Sequence, residues 1–333
     1  MISFDRGMID GLLVLGFGGP TPGCCGRRPS CPKTPGCEAE CFVSGVLGDN
    51  PARAKRIAEV SGHYHHFGGM SPYNALTARQ AAALKDELAR RGRPLHVACG
   101  YRHWTPWASD ALRSLRDAGA TSVAILIMAP HQSSVSWDWY LKHAAEAAET
   151  LGASAPRLVA VVQPWWKEAG YIAAIAAQIT ESTTGWSAQR FQDAELIFTA
   201  HAIPQPVEAT SPYRAQLAET AAAAARALSH PEHAIAFQSQ PGDSRIGWSS
   251  PTIEEALQAA HARGRREAVV QAAGFLVDHT EVLYDLDVDA LHEATRLGMG
   301  LTRARCVHDH PAFIAMLADR VEQSMAASTS ASS

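Results

Sequence analysis

Seven short apolar runs, at 12–17, 95–100, 122–128, 157–162, 196–200, 234–237 and 268–272, constrain the fold of this chain more than any other feature. Each is four to seven residues long, the length of a strand rather than a helix. They are apolar almost throughout, as strands buried on both faces must be. Helical patterns lie between them, at 75–91, 107–118, 216–228 and 252–263. Strand and helix in alternation predict a parallel sheet covered on both sides. Crossovers of one hand then give a doubly wound α/β fold. At 333 residues the chain exceeds one ordinary core, so two lobes are expected.

An internal echo supports two lobes. Leu12-Leu-Val-Leu-Gly-Phe17-Gly-Gly-Pro20 and Leu196-Ile-Phe-Thr-Ala-His201-Ala-Ile-Pro204 are each nine residues, apolar and then stopped by proline. Two Rossmann-like halves would put Phe17 and His201 at equivalent strand ends. The expected division is 1–175 for the first lobe, with a cysteine-rich loop at 21–45, and 176–324 for the second. The polar stretch at 181–187 suits the connection. Residues 325–333, mostly Ala and Ser, are expected as a disordered tail. Gly16-Phe-Gly18 begins a dinucleotide-binding fingerprint, but Pro20 and Thr21 break it, which argues against a dehydrogenase.

Charge is nearly balanced, with 29 basic and 33 acidic residues, so electrostatics make no case for nucleic acid. No apolar run approaches the roughly 20 residues that a membrane span needs. The first ten residues carry charges and no long apolar segment, so no signal peptide is expected and a cytoplasmic location is. The sequence gives no oligomeric state.

The chemistry concentrates in two segments. One is Gly274-Phe-Leu-Val-Asp278-His279-Thr-Glu281-Val-Leu-Tyr284-Asp285-Leu-Asp-Val-Asp289. Glu281, Asp285 and Asp289 recur at steps of four, which in a helix keeps side chains on one face. A row of carboxylates beside a histidine suits a divalent metal such as Fe²⁺, and it can carry metal or protons. An amphipathic helix with a solvated acidic face has the same spacing. The other segment is the strand ending in His201 before Pro204, at the place where open α/β sheets bind ligands.

Together the two segments resemble the ferrochelatase family, with its Ala-His-Ser/Ala-Ile-Pro and Gly-Phe-x-x-Asp-His-x-Glu-x-Leu-Tyr-Asp motifs. Three further stretches are similar to family segments in the family's order. They are Gly62-His-Tyr-His-His-Phe-Gly-Gly69-Met-Ser71-Pro72-Tyr-Asn74, Gly100-Tyr-Arg102-His-Trp104-Thr-Pro106 and Phe237-Gln238-Ser239. The resemblance implies two Rossmann-like lobes with a porphyrin cleft between them. It implies a lyase that inserts Fe²⁺, as substrate, into protoporphyrin IX or coproporphyrin III in haem biosynthesis. His201 and Glu281 would be catalytic, holding the metal or accepting the pyrrole protons. Asp285 and Asp289 would extend the metal row outward, and Asp278 and His279 would support it or start the helix. Phe17, Trp104 and Trp248 would line the porphyrin, and Arg102 would pair with a propionate. Cobalt or nickel chelatases share this fold and the cleft histidine. A haem-binding or redox-sensing protein without turnover is a third reading.

Two departures from the family stand out. Some ferrochelatases, notably those acting on coproporphyrin, have a tyrosine at the place of Phe17 that can reach the metal, and phenylalanine cannot ligate. Thr105 stands where the family often has histidine. A separate cluster, Cys24, Cys25, Cys31, Cys37 and Cys41, lies in a loop rich in Pro and Gly. Such density in a cytosolic protein favours metal over disulfide, as a [2Fe–2S] cluster or zinc. Some ferrochelatases carry a [2Fe–2S] cluster on cysteines near the C-terminus, where this chain has only Cys306. Which four of the five would ligate stays open, as does a loop that binds nothing. His63, His65 and His66 read as the close of a helix. His308 and His310 flank Asp309 before Pro311 and read as a helix start.

Overall fold

A computed structural model describes residues 8–330 apart from 24, 25, 27–30, 32, 33, 35, 231 and 242–245, with side chains through 327. The chain divides into two compact units. One comprises Met1–Met128, Tyr140–Val162 and Arg320–Ser333, and the other Ala129–Trp139 and Gln163–Asp319.

The first unit holds four parallel strands, β1 (Gly11–Gly16), β2 (His96–Tyr101), β3 (Ser122–Ile127) and β4 (Arg157–Val161), in the order β2-β1-β3-β4. Its helices are α1 (Glu38–Leu47), α2 (Ala54–His66), α3 (Tyr73–Arg90), α4 (Ala108–Asp117) and α5 (Trp139–Leu151). The second unit has β5 (Glu195–His201), β6 (Ala234–Gln238), β7 (Glu267–Gln271) and β8 (Gly300–Ala304), in the order β6-β5-β7-β8. Around that sheet come α6 (Ala169–Ser182), α7 (Ala188–Asp193), α8 (Gln205–Ala209), α9 (Tyr213–Ala227), α10 (Ile253–Ala262), α11 (Thr280–Tyr284) and α12 (Leu291–Arg296), while α13 (Pro311–Ser330) begins in this unit and its last turns are counted with the first. The strand order is the same in both sheets once the numbers are shifted by four. Thus β1 and β5 are equivalent strands, as their matching sequences suggest.

The apolar runs become strands because both of their faces meet helices. Every residue of β1 and β3 is buried, and Leu196, Ile197, Phe198 and Ala200 of β5 are sealed from solvent. Each such side chain contributes about 1.5–3 kcal/mol by leaving water. The helix starts follow local chemistry. The Thr252 hydroxyl accepts from Glu255 N at 3.2 Å while Glu255 Oε2 accepts from Thr252 N at 2.8 Å, a reciprocal cap on α10. Pro311 opens α13, where the His310 ring accepts from Ala312 N at 3.2 Å.

One strand has no apolar run to announce it. β8 is the edge strand Gly-Leu-Thr-Arg-Ala, and of its residues only Ala304 is buried. Its Arg303 donates to Asp278 Oδ1 at 2.9 Å and to Asp287 Oδ1 at 2.6 Å, so polar ties replace apolar packing at that edge. A second difference is at the C-terminus, where α13 carries helical backbone to Ser330, across most of the stretch expected as a tail.

Candidate metal and porphyrin site

His201 is the last residue of β5. Its Nδ1 lies 2.5 Å from the Ala202 carbonyl oxygen. A carbonyl only accepts, so Nδ1 carries the proton and the neutral ring keeps its lone pair on Nε2. Nε2 faces Glu281 Oε2 at 3.9 Å. Two acceptors at that distance leave a gap for a cation or a proton. A ring that donates its other N–H to a carbonyl is arranged as metal-binding histidines are. The side chains of His201 and Glu281 are 41% and 23% exposed, so the gap opens to solvent. Behind it, the Tyr213 hydroxyl donates to the His201 carbonyl oxygen at 2.9 Å. The Phe275 ring sits 6.5 Å from the imidazole.

Glu281 is set by the turn after β7. Gly274 N donates to Thr199 O at 2.9 Å, and a Cβ on Gly274 would lie 2.5 Å from Ala200 Cβ, so only glycine lets this turn press against β5. His279 then caps α11, with Nδ1 accepting from Glu281 N at 3.3 Å. Burial lowers the His279 pKa and favours the neutral ring that can accept. Asp278 plays a different part. It accepts from His308 Nε2 at 2.9 Å, Arg303 at 2.9 Å and Cys306 N at 3.0 Å. Although burial opposes its charge, these partners hold its carboxyl far below the usual range. It ties the turn to β8.

Asp285 is buried, while Asp289 is exposed. The Ser239 hydroxyl donates to Asp285 Oδ2, and Gln238 Nε2 donates to the same oxygen at 3.2 Å. Gln238 is itself held by the Thr199 hydroxyl at 2.8 Å. Burial first, and then the neighbouring Glu281 and Asp289 carboxylates, push Asp285 up to about 7 against the pull of Ser239 and Gln238. Residues Asp285–Ala290 form a π turn, where the expected α-helical steps of four give way to i→i+5 bonding. Trp248 is half-buried and bridges to Pro204, just beyond His201.

In the first unit, Phe17 follows the end of β1. Its ring packs 4.5 Å from the His103 ring and 6.2 Å from Phe42. Arg102 is half-buried, and burial lowers its pKa. Trp104 departs from its expected role. It is 1% exposed, packs 6.1 Å from Phe42 and donates its indole N–H to Thr21 Oγ1 at 2.8 Å. It is core, and its bulk fixes the loop after β2 instead of lining a ligand.

Three of the cysteines converge. Cys31, Cys37 and Cys41 Sγ all lie within 4.8 Å of one another, with Cys41–Cys31 at 3.1 Å and Cys31–Cys37 at 3.7 Å. A tetrahedral ion with bonds of about 2.3 Å spaces its sulfurs by roughly 3.8 Å, which the Cys31–Cys37 separation matches and the Cys41–Cys31 separation falls short of. Cys37 stands at the N-cap position of α1 and Cys41 lies one turn on; without a metal, burial and then the hydrogen bond with Cys31 raise the pKa of the Cys37 thiol. Cys24 and Cys25 fall outside the described residues. His63, His65 and His66 stand in the last turn of α2, where His65 pairs with Glu40 at 2.6 Å.

Five further residues touch the predicted ones: Ser239 and Gln238 at Asp285, Phe275 and Tyr213 at His201, and His103 at Phe17. Gln238-Ser239 stood in a family-like segment, and Ser239 adopts φ 64°, an uncommon conformation for serine. Its place beside Asp285 depends on where β6 ends, which no local pattern shows.

The sequence model of the ferrochelatase family, described as Ferrochelatase, matches residues 47–325. The chain is 30% identical over 318 residues to a coproporphyrin III ferrochelatase of Mycolicibacterium vanbaalenii, covering 95% of this chain and 90% of that protein. It is also 30% identical over 319 residues to a ferrochelatase of Deinococcus radiodurans, covering 95% and 96%. In fold it is similar to the sirohydrochlorin chelatase SirB of Bacillus subtilis subspecies spizizenii in complex with cobalt, at TM-score 0.54 and 11% identity over 96% of each chain. With a family match over most of its length and the two motifs that build the His201–Glu281 gap, this chain belongs to the ferrochelatase family, the lyases that insert iron into porphyrin in haem biosynthesis.

Proposed function

We propose that His201 and Glu281 carry the insertion of Fe²⁺ and that coproporphyrin III is the preferred porphyrin, with protoporphyrin IX the weaker substrate. The supporting observation is the gap between His201 Nε2 and Glu281 Oε2, two acceptors 3.9 Å apart with the imidazole tautomer set by Ala202. Insertion releases two pyrrole protons as the four nitrogens take up one Fe²⁺. The Nε2 lone pair, left free because Nδ1 donates to the Ala202 carbonyl oxygen, accepts a proton. The Glu281 carboxylate offers oxygen to the incoming ion. Asp285, close to half-protonated near pH 7, receives protons from the pair and passes them toward exposed Asp289. Arg102 offers a fork to a carboxylate arm of the porphyrin, with Phe17 and Trp248 as apolar contacts. The relatives named for coproporphyrin III support the choice of substrate. A competition assay with equal amounts of both porphyrins and limiting Fe²⁺ under anaerobic conditions checks it. Iron-coproporphyrin should form first, and preferential formation of protohaem would reverse the assignment.

Cys31, Cys37 and Cys41 contribute thiolates to a resident metal centre, and thiolate donors suit a [2Fe–2S] cluster. Such a centre would order the start of α1. Anaerobically purified protein should show visible charge-transfer bands and equal iron and sulfide. A colourless protein carrying one zinc would replace the cluster with a zinc site.

A further inference from the structure

Phe17 leaves this chain without a ligating side chain at the end of β1, and a histidine ring lies against that phenylalanine. His103 packs on Phe17 with ring centroids 4.5 Å apart and planes at 47°. The backbone fixes the pair, because His103 N donates to Phe17 O at 2.9 Å and Arg102 N to Gly16 O at 3.0 Å. Gly18, at φ +92°, brings the chain so close that an added Cβ would lie 2.9 Å from Tyr101 Cβ and 3.2 Å from Trp104 N. The buried Trp104 indole anchors the same loop through Thr21. Among the described residues neither ring nitrogen of His103 has a hydrogen-bond partner, and neither is sealed from the surface. An imidazole held this firmly, with its nitrogens uncommitted, is equipped to bind something.

We propose that His103 supplies an axial nitrogen to the iron of the porphyrin bound beside Phe17, the contact that phenylalanine cannot make. Neutral imidazole is a standard axial ligand of porphyrin iron. The groups around His103 keep it neutral. Burial, then the Arg102 guanidinium and then His143 of α5, push its pKa down to about 3. The Phe17 and Phe42 rings pack against it. The role explains how a family member can lack an oxygen ligand at the position of Phe17. The nitrogen comes instead from the loop after β2, the strand paired with β1. This inference rests on the porphyrin-binding reading of the first unit.

The test uses full-length protein with its resident metal, loaded with ferric coproporphyrin III and, in parallel, with ferric protoporphyrin IX. Electron–nuclear double resonance on protein whose histidines carry heavy nitrogen reads axial imidazole directly. Wild type should show a strongly coupled histidine nitrogen that disappears in His103→Ala and in His103→Phe, the second of which keeps the aromatic stack. Phe17→Tyr in the His103→Ala background should bring an anionic-oxygen signature instead. A signal that survives both His103 substitutions and vanishes in His201→Ala overturns the proposal and leaves porphyrin binding intact. A wild type whose ferric porphyrin spectrum stays that of the free compound overturns the porphyrin reading itself, and this proposal with it. Unchanged near-ultraviolet circular dichroism in the variants separates loss of a ligand from loss of fold.

Discussion

Phe17 and His201 stand at the ends of equivalent strands, in two sheets with the same strand order, and their surroundings have diverged. The end of β5 is polar and partly open. It carries a tautomer-fixed imidazole, a facing carboxylate and a buried aspartate with a raised pKa. The end of β1 is apolar, with Phe17 packed into a cluster of Phe42, His103 and the converging cysteines. The same backbone plan therefore serves two tasks. In the proposed reading one strand end handles ion and protons, while the other presents a firm surface backed by aromatic packing. Two glycines reflect this. Gly274, in the turn after β7, is pressed against β5, where a Cβ would lie 2.7 Å from Ala200 Cα, whereas the atoms nearest a Cβ on Gly16, the last residue of β1, belong to the Tyr73 and Tyr101 side chains.

The comparison breaks first at the polar end. Replacing His201 or Glu281 by Ala should reduce insertion by roughly 10²–10⁴-fold, with little change in melting temperature, because a positioned base is worth about that much. Phe17→Ala at the equivalent place should instead act mainly on KM for porphyrin. Steady-state metalloporphyrin absorbance distinguishes the two patterns. If Phe17→Ala lowered turnover as far as His201→Ala does, the division of labour would be wrong.

The two glycines sharpen the same contrast in stability. Gly274→Ala forces a methyl into Ala200 and should cost about 1–3 kcal/mol in urea unfolding. Gly16→Ala meets the Tyr73 hydroxyl, a side-chain end that can turn aside, and should cost about 1 kcal/mol through the weakened bond to Phe17 N. Equal losses at both sites would remove the asymmetry.

Asp285 gives a pH signature. Its folded pKa is raised from 3.8 to about 7. The protonated form is thus favoured by folding, and that contribution is complete below about pH 4 and lost as pH rises through about 7. A shift of that size corresponds to at most about 4 kcal/mol, so metal-free wild type should melt lower at about pH 8 than at about pH 5. Asp285→Asn should flatten this difference. A variant that keeps the full wild-type slope would place the titration elsewhere.

The sequence revealed much of this arrangement where apolar runs and motifs are local. β1, β3, β5 and β7 are legible because burial on both faces demands continuous Leu, Ile and Val. That His201 and Glu281 meet can be read ahead because His201 closes β5 and Glu281 follows β7, each in a distinctive motif. β8 was not, since an edge strand held by Arg303 to Asp278 and Asp287 has no apolar signature. The π turn was hidden because steps of four describe an α-helix equally well. Trp104 misled because its neighbours in sequence suggest a ligand surface, whereas α1 and the loop after β1 bury it. His103 went unremarked for the opposite reason, since its meaning comes from contact with Phe17, 86 positions earlier in the chain.

The central claim is that the His201–Glu281 gap performs insertion. Anaerobic, single-turnover Fe²⁺ insertion into coproporphyrin III, comparing wild type with Glu281→Gln, tests it most directly. Gln keeps the size of the side chain and removes its charge. The account predicts tight porphyrin binding in both proteins and a metalation step slowed by roughly 10²-fold or more in the variant. Metalation at the wild-type rate in Glu281→Gln would contradict it.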